Sequence, residues 1–163
     1  MTKADFFKVI ANWNSHLILL YPALELTKHL KLPVLELGSG MGSTAVLRQY
    51  CKDERLEFVT YDNQLQYAQE NDSIYIENWD TLPWRREWGI VLLDLAPGEY
   101  RKLALPKLHH AQIVVSHDTE IIGAGDYQMR PELEKYKYLY DYETAGAWAT
   151  ATSNFWDVKK LLL

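Results

Sequence analysis

The sequence predicts a doubly wound α/β domain, with a mostly parallel seven-stranded sheet and an antiparallel hairpin at its C-terminal end. Three observations support this prediction. Apolar runs alternate with helical segments between residues 34 and 116, a glycine-rich turn follows the first apolar run, and residues 135–152 alternate in a strand-like pattern. Apolar runs between helices are typical of central strands that are covered on both faces.

The predicted elements follow one another along the whole chain. Residues 3–30 carry apolar side chains at helical spacing, and Pro22 is expected to kink or restart that helix. Tyrosine at every second position of the first segment, with alternation in the second, predicts a hairpin of residues 135–142 and 148–152. Between these ends we predict strands at 34–37, 56–61, 73–76, 90–94 and 112–116, and helices at 44–52, 64–71 and 101–108.

Length and composition restrict the function classes. A chain of 163 residues is expected to form one domain. The net charge of −5, without a run of lysine or arginine, predicts that nucleic acid is not a partner. Cys51 is the only cysteine and is expected to be structural. There is no signal segment and no apolar run near the ~20 residues of a membrane span, so a cytoplasmic protein without a membrane partner is expected.

The turn after the first strand reads Glu-Leu-Gly-Ser-Gly-Met-Gly from Glu36 to Gly42. Glycine permits positive φ and lets a ligand approach the main chain. The N–H groups at the start of the next helix favour anionic or electron-rich ligand groups. The glycine spacing is G-x-G-x-G, which differs from the G-x-G-x-x-G of a dinucleotide site.

This turn resembles motif I of the class I S-adenosylmethionine (SAM) dependent methyltransferases, in which an acidic residue precedes three alternating glycines. The resemblance implies the strand order 3-2-1-4-5-7-6 and SAM as the cofactor, and the C-terminal hairpin agrees with it. A glycine-rich turn of another nucleotide-binding fold is the alternative. The resemblance implies that the cofactor is bound by Glu36, Gly38, Ser39, Gly40, Gly42, Ser43, Asp62, Asn63, Trp79, Asp80 and Asp94.

The strand ends carry the remaining cofactor residues. Asp62 ends the second strand, where a carboxylate can accept hydrogen bonds from both ribose hydroxyls, although a solvated aspartate is the alternative. By resemblance, Asp80 reads the adenine amino group, Trp79 lies beside adenine, and Asp94 lies near the methyl donor. We expect one domain over residues 1–163, with lid helices in 1–33, the nucleotide-binding core in 34–118, and the acceptor loop and hairpin in 119–163.

The residues after the fourth and fifth strands indicate the acceptor. Asp94-Leu95-Ala96-Pro97 lacks the Asp/Asn-Pro-Pro-Tyr/Phe motif typical of base amino-methyltransferases, so base methylation is disfavoured. Asp94 and Asp118 resemble the carboxylates of catechol-type O-methyltransferases, which implies a Mg²⁺ ion held by Asp94 and Asp118. The His117-Asp118 pair also resembles macrolide sugar O-methyltransferases. The predicted catalytic residues are His117, as the base, with Asp118 and Asp94; a capped turn at His117-Asp118 is the alternative.

These patterns predict a SAM-dependent methyltransferase that transfers a methyl group to an oxygen of a small molecule, with Mg²⁺ as a candidate cofactor. A non-catalytic SAM-binding module that acts as a partner or regulatory domain is the alternative. A nicotinamide oxidoreductase is a third hypothesis, which the glycine spacing disfavours. Because the chain is short for the family, a homo-oligomer, a partner subunit or an exposed acceptor is expected to complete the acceptor site.

Overall fold

The computed structural model describes residues 15–121, 127–144 and 147–162. Its strands are β1 (Val34–Leu37), β2 (Phe58–Asp62), β3 (Ile74–Tyr75), β4 (Ile90–Leu93), β5 (Ile113–His117), β6 (Tyr138–Tyr142) and β7 (Ala149–Ser153). Its helices are α1 (His16–Thr27), α2 (Ser43–Glu54), α3 (Leu65–Glu70), α4 (Arg101–Ala104) and α5 (Arg130–Leu133). Short 3-10 turns cover Lys28–Leu30, Trp79–Thr81, Gly98–Tyr100, Leu105–Leu108 and Val158–Lys160. The predicted lid helices and acceptor loop fall partly outside the described residues.

The seven strands form one sheet in the order β3-β2-β1-β4-β5-β7-β6. Strands β1 to β5 pair in parallel, whereas β7 runs antiparallel to both β5 and β6. The predicted fold class is therefore confirmed, including the C-terminal antiparallel pair. The strand order reverses between β1 and β4, and in such sheets ligands bind at the carboxyl ends of the strands beside this switch point.

Both faces of the sheet are covered by apolar packing. Val34, Ile90 and Leu92 face one side and pack with the buried faces of α1 and α2. Their neighbours Leu35, Val91 and Leu93 face the other side, where the packing includes two tryptophans and the Leu105–Leu108 turn. Alternate residues of a strand point to opposite faces, so unbroken apolar runs place β1 and β4 in the middle of the molecule.

Three elements differ from the sequence predictions. The helix α1 continues through Pro22 without a break. The predicted helix over 101–108 begins as α4 but tightens into a 3-10 turn over Leu105–Leu108, which contains Pro106. Proline has no N–H to donate to an α-helical hydrogen bond, which favours the tighter turn there. The third strand is only two residues long.

Two further features concern the single cysteine and the length of the helices. Cys51 is buried, and burial followed by the nearby charge of Glu36 raises the pKa of its thiol to about 12. The thiolate needed for nucleophilic chemistry is therefore suppressed near neutral pH. Among the described residues, no helix combines the length and the apolar character needed to cross a bilayer.

Candidate functional site

Gly38 brings the glycine loop against the end of β4. Its φ is +93°, in the left-handed region, and an added Cβ would overlap the backbone carbonyl of Asp94. The Gly38 N–H donates to the Tyr61 carbonyl (2.9 Å), and the Asp94 N–H donates to the Leu37 carbonyl (2.8 Å). The backbone therefore requires glycine at position 38. At Gly40 the nearest atom to an added Cβ is Ser43 Oγ at 3.8 Å, so that position has room for a side chain.

Glu36 lies behind the glycine loop and is completely buried. Ser43 Oγ donates to its Oε1 (2.6 Å), while Thr44 Oγ1 and Thr60 Oγ1 donate to its Oε2 (2.8 and 2.7 Å). Burial raises the pKa of Glu36 to about 7, although the three hydroxyl groups oppose that shift. The carboxyl group thus fixes the start of α2, including the predicted site residue Ser43. A direct contact between Glu36 and cofactor stays a prediction.

Asp62 ends β2 and holds the same loop from the other side. Its Oδ2 accepts hydrogen bonds from Ser39 N (2.8 Å) and Ser39 Oγ (3.0 Å), and its Oδ1 accepts from Gln64 N (2.8 Å). Asn63 follows, and its buried Oδ1 has no hydrogen-bond partner within the part of the chain that the structure describes. An unpaired buried oxygen is costly unless a ligand satisfies it. Asp62 and Asn63 therefore form the polar edge of the predicted cofactor site.

The structure separates the two residues predicted after β3. Trp79 is buried in the second apolar cluster, and its indole N–H donates to the Ala96 carbonyl (2.8 Å). Asp80 is exposed, accepts a hydrogen bond from Tyr100 OH (2.9 Å) and pairs with Lys107 Nζ (2.7 Å). The hydrogen bonds from Lys107 and Tyr100 lower the pKa of Asp80. These contacts give Trp79 a packing role and tie Asp80 to the segment after β4, while their adenine contacts stay predictions.

Asp94, Arg101, His117 and Asp118 form what we call the charged cluster, at the carboxyl ends of β4 and β5. The Arg101 guanidinium, whose side chain is only 6% exposed, contacts Asp94 Oδ1 through Nη2 (2.8 Å) and Asp118 Oδ2 through Nη1 (2.9 Å). Arg101 also donates to the carbonyls of Leu95 (2.9 Å) and His117 (2.8 Å). The predicted carboxylate pair is thus brought together, but an arginine lies between its members. This geometry does not support a Mg²⁺ ion held by Asp94 and Asp118.

His117 lies between the two carboxylates. Its Nδ1 is 3.3 Å from Asp94 Oδ1 and 3.5 Å from Asp118 Oδ1. Burial alone would lower the pKa of His117, but the hydrogen bond to Asp94 and both carboxylate charges outweigh burial and raise it. Burial alone would raise the pKa of Asp94, but His117 and Arg101 outweigh burial and lower it. The cluster therefore favours the ionised forms of both side chains.

Sequence reasoning did not identify two residues of this region as members of the site. Arg101 begins a predicted helix. A cation at a helix N-terminus opposes the helix dipole and therefore needs a specific partner, and this is the one feature of the sequence that could have indicated a role for Arg101 in the site. His16, near the start of α1, lies edge-on to His117 with ring centroids 4.5 Å apart. Burial, then the charge of His117, lowers the pKa of His16 to about 3, so its imidazole is neutral.

No protein-family model and no curated protein sequence matches the chain. Among solved structures, the delta-N METTL16 MTase domain is 13% identical with a TM-score of 0.52, and the match covers 85% of this chain and 82% of that one. The chain has the fold of the class I methyltransferases. The Thermus thermophilus 16S rRNA N2 G1207 methyltransferase RsmC, in complex with AdoMet and guanosine, is 11% identical (83% of this chain, 40% of that chain, TM-score 0.49). Streptococcus pneumoniae Sp1610 with SAM, a candidate tRNA (m1A22) methyltransferase, is 13% identical (83% and 76%, TM-score 0.46).

These neighbours contradict one sequence prediction. We expected a small-molecule acceptor and no nucleic-acid partner, from the net charge and from the missing base-methyltransferase motif. Two of the three neighbours are RNA methyltransferases by description, one of rRNA and one of tRNA. The prediction was wrong because the net charge of a whole chain does not describe the charge of one binding surface, and because one motif does not represent every base-modifying enzyme.

Proposed function

We propose that this chain is a SAM-dependent methyltransferase that works as one domain over residues 1–163. The observation that carries the proposal is the convergence of Gly38, Asp62 and Asp94 at the switch point between β1 and β4. Gly38 lies against the Asp94 backbone, and its neighbour Ser39 is bonded to Asp62. Three strands therefore present their carboxyl ends to one place, where this kind of sheet binds its ligands.

The residues at this place fit SAM in their chemistry. Asp62 offers a carboxylate for the ribose hydroxyls: its Oδ2 already accepts two hydrogen bonds from Ser39, but its Oδ1 accepts one from Gln64 and keeps a lone pair for a ligand. The unpaired Asn63 Oδ1 offers a further acceptor beside it. The loop from Gly38 to Gly42 leads into the first turn of α2, whose N–H groups favour electron-rich ligand groups.

Bound SAM supplies an activated methyl group on a sulfonium, and the acceptor supplies the electron pair that forms the new bond. The residues of this chain would bind the cofactor, align the acceptor and take up the acceptor's proton. The charged cluster supports a binding position for the methyl acceptor at the carboxyl ends of β4 and β5. The cluster is next to Gly38 and carries an imidazole between two carboxylates. His117 as the proton acceptor is part of this proposal, with Asp94 orienting its ring; it can act only in the neutral form, above its raised pKa.

Calorimetric titration with SAM and S-adenosylhomocysteine tests the cofactor. We expect micromolar binding that weakens at least about tenfold in Asp62→Ala, because hydrogen bonds to a charged group are each worth about 1.5–3 kcal/mol. Asp53→Ala is the matched control, since it removes an exposed aspartate on α2 and is expected to leave SAM affinity unchanged. If wild type binds neither ligand, the proposal fails and nicotinamide cofactors are tested next.

Turnover is measured separately with radiolabelled SAM. The acceptor screen begins with rRNA and tRNA, the substrates in the descriptions of two neighbours, and includes DNA and protein fractions. Methyl transfer that is lost in His117→Gln while SAM binding persists supports the enzyme. SAM binding without transfer to any of these acceptors favours the alternative of a non-catalytic SAM-binding module.

A further inference from the structure

We propose that His16, Asp94 and His117 form a binding site for Zn²⁺ or a related first-row divalent metal. One ligand atom from each residue lies within 4.8 Å of the other two. Two imidazoles and one carboxylate are a donor set typical of Zn²⁺ and Fe²⁺ and unlike the all-oxygen sets of Mg²⁺. This site differs from the Mg²⁺ pair predicted from sequence in two of its three ligands and in the metal it selects.

The donor atoms are largely unused by the described part of the protein. His16 is 2% exposed, and both of its ring nitrogens lack a hydrogen-bond partner within the described ranges. The Nε2 atom of His117, which is 7% exposed, also lacks a partner there. Burying three ring nitrogens without partners costs free energy, and a metal bound through their lone pairs would recover it.

The three donor atoms would have to move closer together to coordinate one ion. Donor atoms about 2.0–2.1 Å from a tetrahedral ion lie about 3.4 Å from one another, which is shorter than the 4.8 Å limit found here. Asp94 contacts Arg101 and His117 through Oδ1, so Oδ2 is the oxygen left for the metal. Arg101 keeps a second carboxylate partner, Asp118, so its charge stays compensated when Asp94 also binds the ion.

A metal at this position would leave coordination open. Three protein ligands leave at least one position of a four-coordinate ion for water or for an acceptor atom. His117 cannot use one lone pair both to bind a metal and to accept a proton. If the metal is bound, His117 would therefore not be the proton acceptor, and a group on the metal would activate the methyl acceptor instead. The metal site itself does not require bound SAM.

Cobalt titration of the purified full chain, after treatment with a chelator, tests the site. We expect one Co²⁺ ion per chain with visible d–d absorption, displaced by Zn²⁺ but not by a large excess of Mg²⁺. His16→Ala should weaken Co²⁺ binding at least about tenfold. His29→Ala is the matched control, because this exposed histidine follows the same helix and lies edge-on to Trp156. The variant should bind Co²⁺ as wild type does.

Asp94→Asn is the second variant and should also lose the metal, and circular dichroism verifies that each variant is folded. The absence of d–d absorption in wild type, or equal affinity in wild type and folded His16→Ala, would overturn the site. SAM titration of wild type in the presence of chelator, and of His16→Ala, separates the metal-site proposal from the methyltransferase proposal, because it measures SAM binding when the metal is absent. Loss of the metal with SAM binding retained leaves the methyltransferase proposal untouched.

Discussion

Two carboxyl groups on neighbouring strands, the completely buried Glu36 and the partly exposed Asp94, have opposite environments. Glu36, on β1, is surrounded by the hydroxyl groups of Ser43, Thr44 and Thr60, whereas Asp94, after β4, is paired with Arg101 and His117. The pKa of Glu36 is raised to about 7 and that of Asp94 is lowered. Neutral donors do not offset the loss of hydration, and cationic donors do. The comparison shows that cationic partners can reverse the upward shift that burial gives to the pKa of a carboxyl group.

The largest effect is expected when the cation of the charged cluster is removed. Arg101→Ala leaves Asp94 and Asp118 facing each other without their guanidinium, and should cost about 3–5 kcal/mol in the free energy of unfolding, measured by urea denaturation. Arg86→Ala is the control, because its ion pair with Glu57 is exposed and should be worth about 0–1 kcal/mol. Equal losses of unfolding free energy in the two variants would show that the buried ion pairs of Arg101 stabilise the fold no more than the exposed ion pair of Arg86 does.

The next effect concerns Glu36 and its pH dependence. The folded-state pKa, about 7, lies above the ordinary value of 4.5, so the folded protein binds the proton more tightly. The Glu36 contribution is fully present below pH 4.5 and is lost as the pH rises through 7, which lowers the unfolding free energy by about 3 kcal/mol. Glu36→Gln cannot titrate, so its stability relative to wild type should increase between pH 5 and pH 8.

Urea denaturation at these two pH values, with exposed Glu70→Gln as the control, measures the Glu36 effect. A stability difference between Glu36→Gln and wild type that does not change with pH would contradict the raised pKa.

The smallest effect is expected at His117, where burial and the carboxylates act in opposite directions. Its pKa is raised above 6.5, so its stabilising contribution is present below pH 6.5 and is lost as the pH rises through the folded-state pKa. The stability advantage of wild type over His117→Gln should therefore be larger at pH 6 than at pH 9. Unfolding is measured with a chelator present, so that metal binding does not contribute. An advantage that grows toward pH 9 would mean that burial dominates at His117.

Much of the fold could be predicted from the sequence because its signals are local. Apolar runs of strand length, separated by helical periods, determine the parallel sheet, and the glycine spacing marks the turn after β1. Gly38 is predictable for the same reason, since positive φ is a local requirement. The positions of Asp62 and His117 also follow, because parallel strands end at one edge of a sheet.

The sequence by itself determined which residues reach the carboxyl edge, and the tertiary structure decided what each of them touches. Arg101 lies between Asp94 and Asp118 because the chain turns back after β4, and His16 meets His117 because α1 packs across the sheet. Trp79, predicted beside adenine, is buried in the core, and its contact with adenine stays a prediction. Contacts between residues far apart in the chain depend on how the elements pack, and neither periodicity nor spacing encodes that packing.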